Sequence, residues 1–305
     1  MLGARGTKPR GGGVDVWLSL TLGLGLVLSG CSTRVVIPPV AGVVWQIDSK
    51  TLDPRGVWHE MGATELLVQW TAVDDVAFVE NTLTTMPTST TMPMTMTTAS
   101  ERPAWSRIAA EPWAQDVILG LAGRFNEAQA RDDIENLAAE SETLAKLPTP
   151  LHVVGWYFPV EIDPTWSKAP SLAPLLARLP RPLWISVYDS ANVGPDTLVE
   201  GLMTWLPADV GVFFQDGVGV YAREARTARH YADVLSARLG SNRVRIIAEA
   251  FRPRVGGGFR SATIAELGPQ LATYAGYRIY LFEGPHYVPD SLVAEIRRRQ
   301  TSPER

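Results

Sequence analysis

Short apolar runs alternate with amphipathic segments over most of the 305-residue chain. The runs have the length of strands and are rich in Val, Ile, Leu and aromatic residues, which is typical of strands buried on both faces. The predicted strands are Val43–Asp48, Glu65–Trp70, Asp116–Gly123, Leu151–Asp163, Leu183–Tyr188, Val210–Gln215, Val244–Ala250 and Arg278–Phe282. Between them the apolar residues have helical spacing, with Asp, Pro and Gly where helices begin and end. The predicted helices cover residues 55–61, 103–113, 127–147, 171–179, 195–206, 220–239, 261–275 and 289–300.

Eight strands that alternate with eight helical segments predict parallel pairing throughout. Eight is also the number of strands that closes a TIM barrel, so we predict an α/β fold of the (β/α)8 class in a single domain. A doubly wound open sheet is the alternative. It would need a glycine-rich phosphate loop after an early strand, and the sequence has none there.

The fourth predicted strand becomes aromatic and ends in acids, in the stretch Gly155-Trp156-Tyr157-Phe158-Pro159-Val160-Glu161-Ile162-Asp163. Pro159 has no N–H to donate to a neighbouring strand, so we expect regular pairing to end near it. Active sites of parallel α/β folds lie at the carboxyl ends of the strands. The stretch is therefore a candidate wall of a ligand cleft, and a strand end followed by solvated acids is the alternative.

The first 30 residues differ from the rest of the chain. Basic residues precede the apolar run Val16–Leu28, which is shorter than the roughly 20 residues of a membrane-spanning helix. The following Leu28-Ser29-Gly30-Cys31 resembles the lipobox of bacterial lipoproteins. This resemblance implies cleavage before Cys31, lipidation of that cysteine and a place in the cell envelope, with Ser32 favouring the outer membrane on its periplasmic side. An ordinary cleaved signal or an uncleaved anchor is the alternative.

We therefore divide the chain into a signal peptide (1–30), a tether (31–42), a barrel domain (43–300) and a short tail (301–305). Residues 81–100, rich in Thr and Met, interrupt the barrel after the second strand. This composition has too little bulky apolar surface for a core, so we predict a disordered insertion. A lid over a site is the alternative, because long structureless loops are usually one or the other.

The amino-acid composition excludes several classes of chemistry. Cys31 is the only cysteine, so once it is lipidated the chain has neither a disulfide nor a thiol nucleophile. A net charge of −4 gives no reason to expect nucleic-acid binding. The four histidines lack the spacing of metal ligands, and we expect no metal and no cofactor. Ten Trp and eight Tyr supply rings that both sugar-binding clefts and protein cores use.

Three acids end predicted strands: Glu161 the fourth, Asp216 the sixth and Glu249 the seventh. In a barrel all three lie at one mouth. Glycosidases use two carboxylates, about 5 Å apart in retaining enzymes and about 6.5–9.5 Å in inverting ones. Many barrel glycosidases take this pair from strands four and seven, so Glu161 and Glu249 are the predicted catalytic pair, with Asp216 raising the pKa of one partner. The alternative is structural ion pairing, for which Arg124 and Arg252 are candidate partners.

Other polar and aromatic residues at the same ends are candidates for substrate binding. Aromatic rings stack on sugars, and amides hydrogen-bond hydroxyl groups, although a core role is equally open for each ring. The predicted substrate-binding residues are Gln69, Trp70, Trp156, Tyr157, Tyr188, Gln215 and His286.

Four motifs carry a family resemblance: Val68-Gln69-Trp70, the stretch Gly155–Asp163, Phe214-Gln215-Asp216-Gly217-Val218-Gly219 and Glu249-Ala250-Phe251. Together they resemble the bacterial family called domain of unknown function 4434, over roughly residues 43–285. The resemblance implies a TIM barrel similar to glycoside hydrolases, often secreted or lipid-anchored, and the family itself has no settled activity. The chain departs from the pattern in its Thr/Met insertion and its short first helix. Val160 also stands where many glycosidases with a strand-four and strand-seven pair carry Asn.

We predict a lipid-anchored, glycoside-hydrolase-like protein that acts on a polysaccharide or oligosaccharide. Its expected partners are carbohydrate and, through the N-terminal lipid, the membrane. The alternative is a glycan-binding lipoprotein without catalysis, which serves envelope or exopolysaccharide assembly.

Overall fold

The computed structural model describes residues 36–74, 76–79, 97–99 and 101–301. The predicted signal peptide with Cys31, most of the Thr/Met insertion and the last four residues lie outside the described part of the chain. At the end of the predicted insertion, Thr97–Thr98 forms a short strand that pairs with Val76–Ala77. No helix in the described ranges combines the length and the apolar character needed to cross a bilayer.

Eight parallel strands close into a barrel in chain order, each paired with the next and the last with the first. The strands are β1 (Gly42–Trp45), β2 (Glu65–Val68), β3 (Asp116–Gly120), β4 (Val153–Ile162), β5 (Leu183–Val187), β6 (Val210–Gln215), β7 (Val244–Glu249) and β8 (Ile279–Phe282). The helices are α1 (Trp105–Ile108), α2 (Glu127–Asp132), α3 (Ile134–Leu144), α4 (Leu172–Leu176), α5 (Pro195–Met203), α6 (Ala225–Leu239), α7 (Ile264–Thr273), α8 (Gly284–Tyr287) and α9 (Asp290–Thr301). This confirms the predicted (β/α)8 fold.

One side chain from each strand fills the barrel interior, and together the eight form a closed apolar layer. They are Val44, Leu67, Ile118, Tyr157, Trp184, Phe213, Ile247 and Tyr280. The Trp184 ring takes the space beside Gly211, where a Cβ atom would lie 2.3 Å from it. Because side chains alternate along a strand, the residue two positions after each layer member also faces inward, one level nearer the mouth.

Strand β4 continues past Pro159, where the sequence analysis expected regular pairing to end. Pairing with β5 slips between Phe158 and Glu161 and then resumes, with Glu161 opposite Ser186. Pro159 therefore causes a bulge and does not end the strand, because a proline is tolerated where an extra residue already interrupts the ladder. The two extra residues of the bulge, Pro159 and Val160, bring Glu161 level with Ser186 at the mouth.

Several helices are shorter than predicted. The predicted helix 127–147 is two helices, α2 and α3, which are separated at Asp133. The Asp133 carboxylate accepts hydrogen bonds from Arg124 and Asn136. The predicted helix 55–61 is one 3-10 turn, Trp58–Met61. Local spacing could not show these breaks, because side-chain contacts with the preceding loop favour them.

A buried ion cluster closes the amino-terminal end of the barrel. Glu65 on β2 accepts a hydrogen bond from Arg245 at 3.3 Å and also bonds to Arg278 and to the Tyr280 hydroxyl. We expect Glu65→Ala to lower the free energy of unfolding by about 2–3 kcal/mol, because it removes the carboxylate that pairs with the partly buried Arg245 guanidinium. Urea unfolding measures this loss. Asp209→Ala, which breaks the exposed pair with Arg181, is the control and should cost no more than about 1 kcal/mol; equal losses for both variants would contradict the argument.

Candidate active site

A cleft of about 190 Å³ opens where the carboxyl ends of the strands meet. It is lined by Val44, Gln46, Leu67, Gln69, Glu127, Tyr157, Pro159, Glu161, Ser186, Gln215, Ile247 and Phe282. Apolar residues of the interior layer form its floor, and polar side chains form its walls. Ligand pockets usually measure about 300–1,000 Å³, so this smaller space suits one sugar ring and not a chain of rings.

Glu161 projects from the end of β4 into this cleft. Its Oε2 accepts a hydrogen bond from the Gln215 amide at 2.7 Å, and its Oε1 lies 3.9 Å from the Arg131 guanidinium. Burial raises the pKa of Glu161, while the Gln215 hydrogen bond and the Arg131 charge oppose that rise. The side chain is thus oriented by an amide donor and held near a cation that favours its ionised form.

Glu127, which the sequence reasoning did not select, lines the same cleft. It is the first residue of α2, whose N-cap Asn126 accepts a hydrogen bond from Gln129. Its Oε1 accepts the backbone N–H of Glu161 at 2.7 Å and lies 3.6 Å from Arg131. Burial and then the negative charge of Glu161 raise the pKa of Glu127 to about 7. The two carboxyl groups share one cation and one space, but Glu127 holds its proton more firmly.

Glu127 escapes notice in the sequence because an acid in the first turn of a helix has an ordinary explanation, which is stabilisation by the helix dipole. The signal that could have found it is its place in the first turn of α2, at the end of the connection that leaves β3 at the barrel mouth. Gln46 is the second residue that was missed. It stands two positions after Val44 on an inward-facing register, and the same register rule finds Ser186 and Phe282.

Three glutamines surround the carboxylates: Gln46, Gln69 and Gln215. Gln215 is engaged with Glu161. The Gln69 side-chain oxygen is buried in the cleft wall and has no hydrogen-bond partner among the described residues. An unpaired buried acceptor costs free energy. The side-chain oxygen of Gln69 is therefore the acceptor in the described cleft lining that lacks a hydrogen-bond donor.

The other two acids of the predicted catalytic set are covered. Glu249 on β7 is 6% exposed and does not line the cleft, because the backbone N–H groups of Gly219 and Val220 donate to its carboxylate from above. Asp216 is 0% exposed and accepts hydrogen bonds from the Gln270 amide at 2.5 Å and the Tyr274 hydroxyl at 2.9 Å. Burial and then the charge of Asp216 raise the pKa of Glu249 to about 8.

The covered Glu249 has a consequence for stability. Its pKa is about 8 in the folded chain against an ordinary value of 4.5, so unfolding releases a proton at neutral pH. The wild-type chain is therefore fully stable with respect to this group below about pH 4.5 and loses stability as the pH rises towards 8. We expect Glu249→Gln to be more stable than wild type by about 4 kcal/mol at pH 8.5 and nearly equal to it at pH 4.5. Urea unfolding at both pH values tests this, with the exposed Glu200→Gln as control; a difference that shrinks with rising pH would contradict it.

The aromatic residues predicted to bind substrate differ in which face of their strand they occupy. Tyr157 lies in the cleft floor, where burial raises its pKa and Ser186 hydrogen-bonds it. Trp156, its neighbour, faces away from the barrel interior and packs on the helix-side core. Trp70 is buried, with its indole N–H donating to the Ile47 carbonyl at 3.1 Å. Both tryptophans were in the predicted substrate-binding set, and the structure places both in the core, because side chains one residue apart on a strand face opposite ways.

Tyr188 and His286 lie at the mouth outside the residues that line the cleft. Burial and then the negative charge of Glu249, with a smaller contribution from Glu161, raise the pKa of Tyr188. The Nδ1 of His286 is hydrogen-bonded to the buried Glu283, which also accepts the Gln46 backbone N–H at 3.1 Å. In the described part of the chain, His286 is connected to the cleft lining through Glu283 and the Gln46 backbone.

The suggested structural partners of the acids engage other groups. Arg124 pairs with Asp133 and Glu140, away from the three candidate acids. Arg252 donates to the backbone carbonyl of Glu249 at 3.1 Å and to the Gln270 side chain at 2.7 Å. The cation beside Glu161 is Arg131, whose guanidinium also lies 5.5 Å from the centre of the Trp166 ring.

No protein-family model matches the chain, and no curated protein is similar to it in sequence. The fold does match solved structures. A candidate alpha-L-fucosidase from Bacteroides thetaiotaomicron is 14% identical with a TM-score of 0.59, over 96% of this chain and 99% of the other. The PgaB (BpsB) glycoside hydrolase domain from Bordetella bronchiseptica is 14% identical with a TM-score of 0.49, over 87% of this chain and 100% of the other. The first of these similarities shows that the chain shares its barrel fold with a solved structure. The family resemblance seen in the motifs stays a prediction.

Proposed function

We propose that the protein is a glycoside hydrolase that holds one sugar ring of its substrate in the cleft at the mouth of the barrel. The observation that carries this proposal is the pair Glu161 and Glu127, which line one cleft about the size of a sugar ring and differ in how firmly they hold a proton. Glycosidic bonds are cleaved by such a pair, one carboxyl group charged and the other protonated.

The roles follow from the surroundings of each acid. Glu161 receives the Gln215 hydrogen bond and lies near Arg131, so it is the ionised group that stabilises positive charge at the reacting carbon. Glu127, with a pKa of about 7, still carries a proton near neutral pH and donates it to the leaving oxygen. Gln46 and Gln69 bind hydroxyl groups of the ring, and Tyr157 and Phe282 pack against its apolar parts.

The charge of the cleft limits the substrate. Its described lining contains two carboxyl groups and neither Lys nor Arg. An anionic sugar would meet the ionised carboxylate of Glu161 in a partly buried space, and the nearby Arg131 offsets this like charge only in part. We therefore propose a neutral sugar at this position.

Reducing ends released from a panel of neutral polysaccharides and oligosaccharides test the proposal directly. The full chain should hydrolyse at least one of them, and Glu161→Gln should not. Binding of the same glycan to both proteins without hydrolysis by either would favour the alternative of a glycan-binding lipoprotein. Neither binding nor hydrolysis of any member would overturn the proposal.

Glu249, the strand-seven partner predicted from the sequence, is compared with Glu127 in the same assay. If the loop at 219–220 opens on substrate binding, Glu249 reaches the sugar and Glu249→Gln loses activity as Glu161→Gln does. With the loop as it is in the structure, we expect Glu127→Gln to lose activity and Glu249→Gln to keep at least about a third of it, in line with a residue that does not touch substrate. The ratio of the two rates decides which acid is the proton donor.

We also propose that Cys31 carries a lipid that holds the protein in the bacterial cell envelope, on the periplasmic side of the outer membrane. The basic and apolar residues before Leu28-Ser29-Gly30-Cys31 support this proposal. We expect the wild-type chain in the membrane fraction of a producing cell and Cys31→Ser in the soluble fraction. Retention of Cys31→Ser in the membrane fraction would instead indicate an uncleaved anchor.

A further inference from the structure

Aromatic rings continue outward from the cleft on one side only of the described mouth. Phe282 lines the cleft, and its ring centre lies 6.2 Å from that of Phe251. The Phe251 ring in turn lies 4.7 Å from Phe259 and 5.2 Å from Tyr287. Phe259 is 41% exposed, so the series of rings begins inside the cleft and ends at the protein surface.

The outer rings stand on a rigid support. A two-stranded hairpin, Phe251–Pro253 with Phe259–Ser261, follows β7 and carries both phenylalanines. The buried Arg252 fixes its base by donating to the Glu249 carbonyl and to Gln270. The other hairpin strand is held by two hydrogen bonds from Arg260 to Glu266 at 2.7 and 2.9 Å. Phe259 is thus presented by a fixed hairpin, which lowers the entropy cost of using it for binding.

A second exposed ring borders this hairpin. Tyr221 is 64% exposed and has a φ of +60°, a left-handed conformation that is unfavourable for a residue with a bulky side chain. Its loop is in contact with the hairpin, since a Cβ atom on Gly219 would lie 2.8 Å from the Phe251 carbonyl oxygen. Strain of this kind persists where the surroundings enforce it, and it is concentrated at binding sites.

We propose that Phe259, Tyr287 and Tyr221 form a binding platform for further sugar units of the glycan whose reacting ring occupies the cleft. The proposal rests on the proposed function, because it assigns the place of the rest of the same substrate. The cleft itself takes one ring, so a longer chain must leave it along a surface. This side offers exposed rings that are connected to the cleft wall through the buried Phe251. Sugars bind such rings through their apolar C–H faces.

The opposite rim supplies a matched control. Phe125, after β3, is 73% exposed and packs edge-on against the buried Trp70, with ring centres 6.3 Å apart. Neither of these residues lines the cleft, and no ring among the described residues joins them to Phe282. Phe125 therefore has the exposure of a platform ring without the connection to the cleft.

Binding measured against chain length tests the platform. The probes are cello-, chito-, malto- and xylo-oligosaccharides of one, two, four and six units, titrated calorimetrically into the full chain with Glu161→Gln to prevent turnover. At least one series should bind more tightly with each added unit up to a limit. Phe259→Ala and Tyr221→Gly, each added to that chain, should weaken binding of the longer members by roughly 3- to 10-fold and that of the single unit by less than about 2-fold. Phe125→Ala should change neither.

Every other pattern counts against the platform in a distinct way. Hydrolysis by the wild-type chain without any gain in affinity with length would overturn the platform and leave the proposed function standing. A length effect removed by Phe125→Ala would place the chain on the other rim. If Phe259→Ala weakens binding of Cys31→Ser protein to vesicles of phosphatidylglycerol and phosphatidylethanolamine and alters no sugar series, the rings contact the membrane. Absence of both binding and hydrolysis for every series would overturn the proposed function, and the platform with it.

Discussion

Replacing Glu161 by Gln is expected to lower kcat/KM for a glycan substrate by at least about 10³-fold, with little change in the affinity for that glycan. Gln has nearly the same shape and can keep the hydrogen-bond contact with Gln215, but it has no negative charge to offer the reacting carbon. The loss should therefore appear in kcat and not in KM, as for an interaction made mainly in the transition state. Initial rates over a range of substrate concentrations separate the two constants.

Two controls make this result specific. Glu200→Gln removes an exposed acid from α5 and should leave both constants unchanged. Gln215→Ala removes the amide that orients Glu161 and should cost less, about 10-fold, because the carboxylate keeps its charge. If the Glu161→Gln enzyme retains more than about a tenth of the wild-type kcat, Glu161 has no direct part in the reaction.

The sequence was sufficient for the barrel because every strand carries its own signal. Apolar runs of strand length and an alternating order of strands and helices are local features, and eight of them leave few topologies open. Gln69, Gln215 and Glu161 were selected because they stand at strand ends, and all three line the cleft. A period of two along each strand also places them on inward-facing positions. Because Tyr157 faces inward, the same period of two places its neighbour Trp156 on the outward face of the strand.

The loops were beyond such reasoning, since their course depends on contacts between residues distant in sequence. Glu249 faces inward by register, yet the segment after β6 folds over it and donates two backbone N–H groups. In the other direction, the β3–α2 connection brings Glu127 into the cleft, where Arg131 and the Glu161 backbone hold it. The spacing of residues along the chain does not give the path of a loop. The sequence therefore predicts the ends of the strands but not which acids line the same cleft.

The pH dependence of hydrolysis should identify the proton donor. Glu127 must be protonated to act, so kcat/KM of the wild-type enzyme should fall as the pH rises through about 7, the pKa of Glu127. Glu161 must be ionised, and burial raises its pKa, so the acid-side fall should begin above the ordinary value of 4.5. Glu127→Gln should remove the alkaline fall and lower the rate on a glycan by about 10²–10³-fold.

Comparing two substrates with different leaving groups identifies the proton donor. A dinitrophenyl glycoside departs as a stable anion without a proton, so Glu127→Gln should hydrolyse it within about 10-fold of wild type while remaining slow on the glycan. Glu161→Gln should be slow on both, because charge at the reacting carbon is needed whatever leaves. If Glu249→Gln, and not Glu127→Gln, abolishes the alkaline fall and is rescued by the activated glycoside, the donor is Glu249, and the segment 219–220 must move away from its carboxylate for the reaction to occur.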